Sequence, residues 1–357
     1  MAQSPKDNPA SDPAALERYC RQMMFAQMGV AGQRKLSAGR VLLIGCGGLG
    51  SVLADMLVRA GVGYLRIVDR DFVELNNLQR QVLFNERDVD EGLPKAVIAA
   101  QRLGEINSQV AVEPVVADVH AGNIESLLDS IGLVLDGTDN LPTRFLINDA
   151  TVKHRIPWVY GACVAAEGMV LPILPGVTPC LACVWDRPPP PGLTPSCAAV
   201  GVIAPIVHLV ASYQAVAAMQ ILTGRLDALN RRLLRIDAWT GEVQQIDLQA
   251  AFDQHDCPCC KRGRYEYLSD SESASAVLLC GREAVQIRPE RDVNVDFEEL
   301  ARRIAPGAKG PPRINRYLMQ FEIERYAIAL FRDGRAIIRG TRGAEEARAV
   351  YARYVGR

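Results

Sequence analysis

A glycine-rich turn between a short apolar run and a longer helical pattern constrains the fold of this chain more than any other feature. The run Val-Leu-Leu-Ile-Gly occupies residues 41–45, and glycine recurs at 47, 48 and 50 before a helical pattern begins. A second apolar run, YLRIVD at 64–69, follows that helical pattern. Two short apolar runs separated by a helix are typical of a β-α-β unit. The sequence therefore predicts an α/β fold with a doubly wound, mostly parallel sheet.

The same alternation of short apolar runs and helical patterns continues beyond this unit. Further strands are predicted at 110–117, 133–137 and 158–162, and helices at 16–37, 94–106, 123–130 and 142–154. A hairpin is predicted at 233–248, around Trp239–Thr240. Strands that alternate with helices favour a parallel sheet.

Composition and charge exclude several classes of protein. A net charge of −1 and a pI near 6.5 argue against a nucleic-acid-binding protein, which is usually basic. Residues 1–13 are polar and rich in proline, so they predict a disordered tail and no secretory signal, and a cytoplasmic protein is expected. The most apolar stretch, 198–222, contains Pro205, His208 and Gln214, which favours a buried helix over a membrane span.

Two changes of pattern divide the chain into parts. Five prolines among residues 186–196 predict a surface loop, and a polar, serine-rich stretch follows at 255–276. The last 80 residues predict the order βαβββα, with a hairpin turn at Asp333–Gly334. The expected parts are a tail at 1–15, a large domain at 16–262, a linker at 263–276 and a small α+β domain at 277–357. The residues of the small domain indicate no role.

The glycine-rich turn is suited to a phosphate. Gly45, Gly47, Gly48 and Gly50 let backbone N–H groups approach an anion at the N-terminus of the following helix. Asp69 ends the next strand, where an acidic side chain can accept hydrogen bonds from ribose hydroxyls. The alternatives are a tight turn without a ligand, or a site for NAD. The glycine pattern alone does not separate NAD from ATP.

Two neighbouring segments also carry groups that suit phosphates. The motif NNLQRQ at 76–81 contains Asn77 and Arg80, and arginine presents a planar fork of donors to phosphate oxygens. Lys95 opens the next predicted helix, where a cation opposes the helix dipole unless it meets an anion. A solvated loop and an exposed lysine are the alternative interpretations.

The motif Asp136-Gly-Thr-Asp139-Asn140 follows a predicted strand. Ligands of doubly wound sheets lie at the carboxyl ends of the strands. A carboxylate there could hold magnesium, which binds one or two carboxylates together with phosphate oxygens. The alternative is that Thr138 or Asp139 caps the following helix.

Four of the ten cysteines form two CxxC pairs, Cys180 with Cys183 and Cys257 with Cys260. Two such pairs can build a tetrahedral thiolate site for zinc if the fold brings them together. Redox work or a disulfide is the alternative. Cys259 makes the register of the second pair ambiguous, although Cys257 and Cys260 keep the CxxC spacing.

Taken in order, these motifs resemble the ThiF/MoeB family, relatives of the ubiquitin-activating enzymes. The similarity covers residues 17 to 262 approximately and adds four segments to those above: RYCRQ (18–22), AGVGYLRIVDRD (60–71), GLPK (92–95) and CAAVGVIAP (197–205). The resemblance implies a Rossmann-like, ThiF-like fold that binds ATP and not NAD.

The resemblance also implies a role for each nucleotide-binding motif. Gly47 would contact the nucleotide, and Asp69, near Asp71, would bind the ribose. Asn77 and Arg80 would hold the phosphates.

Further roles concern the phosphates, the metals and the assembly. Lys95 would also hold the phosphates, and Asp139, followed by Asn140, would hold magnesium. Arg21 would reach across a homodimer to the ATP of the other subunit. Zinc would be held by the two cysteine pairs, and Cys197 matches a cysteine that ThiF-like members link to sulfur handling.

The implied reaction is adenylation of the C-terminal glycine carboxylate of a small ubiquitin-like sulfur carrier that ends in Gly-Gly, with release of pyrophosphate. It would begin thiocarboxylate formation in the thiamine-thiazole, molybdopterin or a related sulfur pathway, with sulfur from a persulfide donor. Three alternatives remain open at this point: activation of a ubiquitin-like modifier through a thioester on Cys197, an NAD-dependent oxidoreductase, and a non-enzymatic scaffold.

Overall fold

The structure is a computed structural model that describes residues 16–185, 187–188, 200–269, 276–278, 284–289, 293–341 and 343–356. The described residues form two compact units, of which the first contains 16–188 and 202–269 and the second consists largely of 276–356. The predicted tail, most of the proline-rich segment 186–196 and Cys197 lie outside the described residues.

The first unit is built on one large sheet. Its strands among the described residues are β1 Arg40–Ile44, β2 Tyr64–Asp69, β3 Ala111–Val116, β4 Leu133–Asp136, β5 Trp158–Val164, β6 Glu167–Ile173, β7 Leu233–Asp237 and β8 Glu242–Ile246. They pair in the order β3-β2-β1-β4-β5-β6-β7-β8, parallel from β3 to β5 and antiparallel from β5 to β8. The doubly wound, mostly parallel sheet is therefore confirmed. The strand order reverses between β1 and β4, which makes their carboxyl ends the ligand-binding edge of such a sheet.

Among the described residues, the first unit also contains helices. They are α1 Cys20–Met23, α2 Gly29–Ala38, α3 Gly48–Ala60, α4 Glu86–Glu91, α5 Lys95–Ile106, α6 Ile124–Leu127, α7 Leu141–His154, α8 Leu181–Val184, α9 Ala204–Thr223, α10 Gln249–Gln254 and α11 Glu266–Ser269. Short 3-10 turns lie at Glu17–Tyr19 and Leu75–Asn77. The helices predicted at 94–106 and 142–154 are confirmed as α5 and α7, whereas the one predicted at 123–130 is only the single turn α6.

Strand β1 is apolar after Arg40 because both of its faces are covered. Leu43 belongs to a core shared with helices α3, α5 and α9, whereas Leu42 belongs to a separate core shared with α7. Successive side chains of a strand point to opposite faces, so a strand covered on both faces reads as a continuous apolar run.

The prediction of one helix over 16–37 is wrong, because the chain breaks between α1 and α2. Gly29, the first residue of α2, has a φ of +53°, a conformation that glycine adopts without steric cost. The turn that precedes it buries Met28 but leaves Met24 73% and Phe25 61% exposed. The apolar residues that suggested a helix therefore lie partly in a turn, where Met24 and Phe25 are exposed to solvent.

Helix α9 is the buried helix predicted within 198–222. It is the one helix in the described part of the chain that is long and apolar enough to cross a membrane, and half of its apolar window is buried. Ile206 and Val210 pack in the core that α9 shares with α3. Contacts with α3, β5 and β6 thus explain the apolar residues on the buried side of α9.

The second unit contains one antiparallel sheet with helices. Its described elements are β9 Ala276–Leu278, β10 Ala284–Ile287, α12 Phe297–Ile304, β11 Arg313–Ile314, β12 Leu318–Ile323, β13 Tyr326–Phe331, β14 Ala336–Arg339 and α13 Ala344–Tyr354. The strand order is β11-β12-β13-β14-β10-β9. The predicted order βαβββα is confirmed, with the short strands β9 and β11 added. Gly334 has a φ of +81° in the turn between β13 and β14, as the Asp-Gly pair predicts.

The turn after β1 requires glycine because two loops meet there at backbone distance. Gly45 has a φ of +89°, and a Cβ on it would lie 2.6 Å from the carbonyl oxygen of Gly137. A Cβ on Gly50 or on Gly137 would overlap the carbonyl oxygen of Gly45. The first turn of α3 and the loop after β4 can approach this closely only without side chains at these positions.

We expect Gly50→Ala to lower the free energy of unfolding by about 3 kcal/mol, because the added methyl group has no space between α3 and Gly45. Gly104→Ala is the matched control. Gly104 also lies in a helix, nothing lies within 4 Å of a Cβ there, and alanine should stabilise α5 by about 0.5–1 kcal/mol. Urea denaturation of the full chain measures both. Equal stability of Gly50→Ala and the native protein would contradict the close packing.

Candidate active site and metal centre

Motifs that are far apart in the sequence meet at the carboxyl ends of β1, β2 and β4. The backbone N–H of Gly45 donates to Val68 of β2 at 2.8 Å, and that of Gly137 donates to Ile44 of β1 at 2.8 Å. The stem of Arg80 lies 3.7 Å from the position that a Cβ on Gly48 would occupy. The glycine-rich turn, the NNLQRQ segment and the loop after β4 therefore surround one edge of the sheet.

Asp69 is tied to the glycine-rich turn by its carboxylate. Oδ2 accepts a hydrogen bond from the backbone N–H of Cys46 at 2.6 Å, and Oδ1 accepts one from that of Asp71 at 2.7 Å. Burial raises the pKa of Asp69, and the nearby ammonium of Lys95 opposes that rise. A carboxylate has about four lone-pair sites, so this one can still accept hydrogen bonds from a bound hydroxyl group.

Lys95 is buried, although its place at a predicted helix start is also compatible with an exposed side chain. It is only 3% exposed at the N-terminus of α5, and its Nζ lies 3.5 Å from Oδ2 of Asp71. A buried ammonium at this end of a helix is unfavourable unless negative charge compensates it. The position of Lys95 is therefore suited to a bound anion.

The NNLQRQ segment is held in shape by its first two asparagines. Asn77 is buried, its Oδ1 accepts from the backbone N–H of Glu74 at 3.2 Å, and its Nδ2 donates to Oδ1 of Asn76 at 2.8 Å. Arg80 donates to the carbonyl oxygen of Asn76 at 2.9 Å. Asn77 therefore shapes the loop, whereas the half-exposed guanidinium of Arg80 keeps further donors for a ligand.

Gln81 is a candidate site residue that the sequence analysis missed. Its side chain is buried, and its Oε1 has no hydrogen-bond partner among the described residues. Its Nε2 lies 3.7 Å from the position that a Cβ on Gly47 would occupy. A buried polar atom without a partner costs about 1–3 kcal/mol, so a ligand or water is expected to satisfy it. The only signal in the sequence is its place directly after Arg80.

The loop after β4 presents Asp139 and uses its other polar residues for its own structure. Asn140 caps α7, since its Oδ1 accepts from the backbone N–H of Thr143 at 3.0 Å. The alternative that Thr138 or Asp139 caps this helix is therefore wrong. Asp139 is exposed and accepts no hydrogen bond from the described residues, which leaves its carboxylate available to a cation.

Arg144 and Asp136 form a buried ion pair beneath this loop, and the sequence analysis assigned no role to Arg144. Arg144 Nε lies 3.0 Å from Asp136 Oδ2, and Nη2 donates to the carbonyl oxygens of Thr138 at 2.6 Å and Gly161 at 2.9 Å. The other oxygen of Asp136 accepts from the Thr138 hydroxyl at 2.7 Å. Burial raises the pKa of Asp136, and Arg144 opposes that rise. Asp136 thus supports the loop and is not itself exposed to a ligand.

One sequence-predicted residue, Arg21, makes no described contact with this group. Arg21 is exposed on α1, and its Nη1 lies 3.8 Å from Sδ of Met24. Cys197 lies outside the described residues.

The two CxxC pairs meet at one place in the first unit. The ligand atoms of Cys180, Cys183, Cys257 and Cys260 all lie within 4.8 Å of one another, and the four thiols are free. Neighbouring sulfurs are 3.8 Å (Cys180 to Cys183), 3.7 Å (Cys180 to Cys257) and 3.4 Å (Cys183 to Cys260) apart. A tetrahedron with Zn–S bonds of 2.3 Å has sulfur–sulfur edges of about 3.8 Å. The four thiols therefore fit a tetrahedral metal ion, and the register of the second pair is Cys257 with Cys260.

Comparison with known proteins identifies the family of this chain. The model of the ThiF family matches residues 19–259. The sulfur carrier protein ThiS adenylyltransferase of Bacillus subtilis is 42% identical over 340 residues, which cover 95% of this chain and 99% of the relative. The SAMP-activating enzyme E1 of Haloferax volcanii is 38% identical over 268 residues, 75% of this chain and 97% of that protein. The match to the Bacillus subtilis protein extends into the second unit.

Solved structures share the fold of the first unit. The crystal structure of E. coli MccB with ATP superposes with a TM-score of 0.54 at 24% identity, over 65% of this chain and 71% of that one. Similarity at this level of identity supports the fold alone.

We expect Arg144→Leu to lower the free energy of unfolding by about 3–5 kcal/mol, because it leaves the buried carboxylate of Asp136 without its partner. Arg87→Leu is the matched control: it breaks the exposed pair of Arg87 with Glu91, which contributes about 0.5 kcal/mol or less. Chemical denaturation distinguishes the two. If both variants lose the same small amount, the pair beneath the loop does not support it.

Proposed function

Because this chain belongs to the ThiF family, we propose that it is an adenylyltransferase that uses ATP to activate the C-terminal glycine carboxylate of a small ubiquitin-like sulfur carrier. The observation that carries the proposal is the meeting of the glycine-rich turn, Asp69, Arg80, Lys95 and the Asp139 loop at one sheet edge. The 42% identity to a ThiS adenylyltransferase over nearly the whole of both chains supports this substrate class.

The proposed reaction converts a poor acyl donor into a reactive one. A carboxylate oxygen of the carrier attacks the α-phosphorus of ATP, and a new phosphorus–oxygen bond forms. The bond between the α-phosphorus and the oxygen that bridges to the β-phosphorus breaks, and pyrophosphate leaves with its electron pair. The products are an acyl adenylate and pyrophosphate, so this step needs no nucleophile from the protein. The protein must align the two reactants and stabilise negative charge.

The phosphates are proposed to lie between the glycine-rich turn, Arg80 and Lys95. The turn offers backbone N–H groups at the N-terminus of α3, which attracts anions. Lys95 is buried at the start of α5 and provides a fixed positive charge. Asn77 orders the loop that carries Arg80, and Gln81 provides a buried amide beside Gly47.

The nucleoside is proposed to bind on the side of Asp69 and Asp71. The carboxylate of Asp69 is oriented by two backbone N–H groups, so its remaining lone pairs have a fixed direction toward a ribose hydroxyl. Asp71 lies between this group and Lys95, and it links the ribose side of the site to the phosphate side.

Magnesium is proposed to be held by Asp139, with Asn140 fixing the position of the loop. The exposed carboxylate fits a hard cation that shares its coordination with phosphate oxygens. When bound, the ion neutralises charge on the phosphates. Arg144 and Asp136 hold the loop from below, so the backbone next to Asp139 has a defined position before the ion arrives.

Zinc is proposed as the ion of the four-cysteine centre. The sulfur–sulfur distances of 3.4–3.8 Å support a tetrahedral thiolate site. When bound, the ion links the segments before α9 and after β8, and we assign it no part in the reaction.

Two further expectations from the sequence stay proposals. The domains are proposed to span residues 16–262 and 277–357, and the protein is proposed to be cytoplasmic.

A homodimer is proposed from the exposed apolar surface of the first unit. Leu209, Tyr213 and Val216 form a stripe along α9 and are between 41% and 53% exposed. Helix α2, which packs against α9, follows the turn that exposes Met24 and Phe25. Apolar groups in this number on neighbouring elements are typical of a surface that another chain covers. Arg21 lies in the same segment as Met24. If a second copy of the chain covers this surface, Arg21 would lie close to the active site of that copy.

Sulfur transfer is proposed to follow adenylation. The outer sulfur of a persulfide would attack the acyl carbon of the carrier and displace AMP, which gives an acyl disulfide. A thiol, as the reductant, would then attack the donor's sulfur in that bond, form a new disulfide and release the thiocarboxylate. Cys197 is proposed to take part in this later step. The thiazole, molybdopterin and related pathways share this chemistry.

We expect the carrier to gain AMP when it is mixed with the full chain, ATP and magnesium, as measured by the intact mass of the carrier. Arg80→Ala and Asp139→Ala should each lower the initial rate at least about 100-fold, because each removes charge stabilisation at the phosphates. Arg59→Ala, which changes an exposed residue at the far end of α3, should keep the native rate. Unchanged rates in the first two variants would refute the proposed site. The absence of adduct with any carrier that ends in Gly-Gly would refute the proposed reaction.

Mixing subunits tests whether Arg21 acts on the other subunit. Arg21→Ala and Asp139→Ala proteins should each be inactive, whereas an equimolar mixture that has exchanged subunits should regain about a quarter of the native activity. Half of the dimers are then mixed, and each mixed dimer has one intact site. The carrier-mass assay before and after subunit exchange measures this. No recovery in verified heterodimers would show that Arg21 does not act in trans.

A further inference from the structure

Asn148, in the middle of α7, is a buried side chain with two distant partners. It is 0% exposed, and its Oδ1 accepts from the backbone N–H of Leu181 at 2.8 Å. Its Nδ2 donates to Sγ of Cys259 at 3.3 Å. The backbone N–H is a donor only, so it determines which end of the amide is the oxygen and which end faces the sulfur.

The first partner belongs to the first cysteine pair. Leu181 follows Cys180 and begins α8, the single turn that also carries Cys183. The first N–H groups of a helix have no partner within the helix, and the side chain of Cys180 does not cap this one. Asn148 supplies the missing acceptor from another helix. The orientation of the first pair therefore depends on α7.

The second partner belongs to the second cysteine pair. Cys259 lies between Cys257 and Cys260, is buried, and is absent from the group of four converging thiols. The next residue of α7 adds a related contact, since Oδ2 of Asp149 accepts from the backbone N–H of Tyr267 at 2.9 Å. The segment that follows the second pair is thus also attached to α7.

We infer that Asn148 is a positioning residue that holds the two cysteine pairs together, and that Cys259 is its hydrogen-bond acceptor and not a metal ligand. The inference rests on the proposed zinc centre. The two pairs are separated by more than 70 residues, so bringing four sulfurs to one ion costs conformational entropy. A hydrogen-bonded link that is present without the metal lowers the part of this cost that metal binding must offset. Groups that orient metal ligands from outside typically change metal affinity 10–100-fold when they are replaced.

The chain offers a matched set of variants for this test. Asn148→Leu removes both hydrogen bonds at similar volume. Cys259→Ala removes the acceptor on the second pair, together with the contacts of that thiol with Asp149 and Cys180. Thr151→Val is the control. It removes a buried hydroxyl from the same helix, whose hydrogen bonds go to Ile147 and Asn148 carbonyl oxygens within α7.

The rate of zinc release from the full-length protein to a chromogenic chelator is the main measurement. We expect Asn148→Leu to release zinc at least tenfold faster than the native protein and Cys259→Ala to release it several-fold faster, whereas Thr151→Val keeps the native rate. Cobalt-substituted Asn148→Leu and Cys259→Ala should keep the absorption spectrum of a four-thiolate site. That result separates positioning from ligation.

Other outcomes would overturn the inference. Equal release rates for Asn148→Leu, Thr151→Val and the native protein would show that Asn148 does not hold the pairs. Loss of the four-thiolate cobalt spectrum in Cys259→Ala would make Cys259 a ligand. If Asn148→Leu does not fold, a native release rate for Cys259→Ala refutes the link to the second pair. A native protein that binds neither zinc nor cobalt would refute the proposed zinc centre instead, and the two failures are therefore distinguishable.

Discussion

The contact between the turn after β1 and the loop after β4 is the constraint on which the candidate site depends. The two loops approach at backbone distance, so Gly45, Gly50 and Gly137 leave no space for side chains. The same contact places the N-terminus of α3 beside the loop that carries Asp139. A site built from two backbone segments in contact has little freedom to widen, and its polar side chains must approach the ligand from the remaining sides. Arg80 and Lys95 lie on the segments after β2 that border this edge.

Negative charge at this sheet edge is balanced by buried cations within the protein. Asp69 and Asp71 face Lys95, and Asp136 faces Arg144. Charges of this kind are expensive to bury without a partner. The two cations differ in how many N–H donors are used within the protein. Arg144 donates to Asp136 and to two backbone carbonyl oxygens, whereas the described side-chain contact of Lys95 is with Asp71 at 3.5 Å. Of these two cations, Lys95 is therefore the one that keeps donors for a ligand.

The sequence predicts the central strands well because β1 is buried on both faces and reads as a continuous apolar run. It also indicates Asp69, Arg80 and Asp139 as candidate site residues, because they belong to ordered motifs. It gives no sign that Gln81 or Arg144 is buried at this sheet edge, since the sequence pattern of a polar residue in a loop or helix is the same whether its side chain is buried or solvated. Burial of Lys95 and the cap at Asn140 are likewise decided by tertiary contacts. The break before Gly29 is missed because apolar residues at helical spacing also occur in a turn whose exposed surface another chain can cover.

Helix α7 shows why the hydrophobic periodicity of a sequence does not identify buried polar residues. Its buried residues surround it almost completely, so no polar face alternates with an apolar one. Asn140, Arg144 and Asn148 follow one another at intervals of four, which places them along one side of the helix. The first caps α7 beside Asp139, the second holds the loop from below, and the third contacts both cysteine segments. A single line of polar side chains thus connects the proposed magnesium loop with the proposed zinc centre. Because one helix makes all of these contacts, a displacement of α7 at the cysteine segments would also move the loop that carries Asp139.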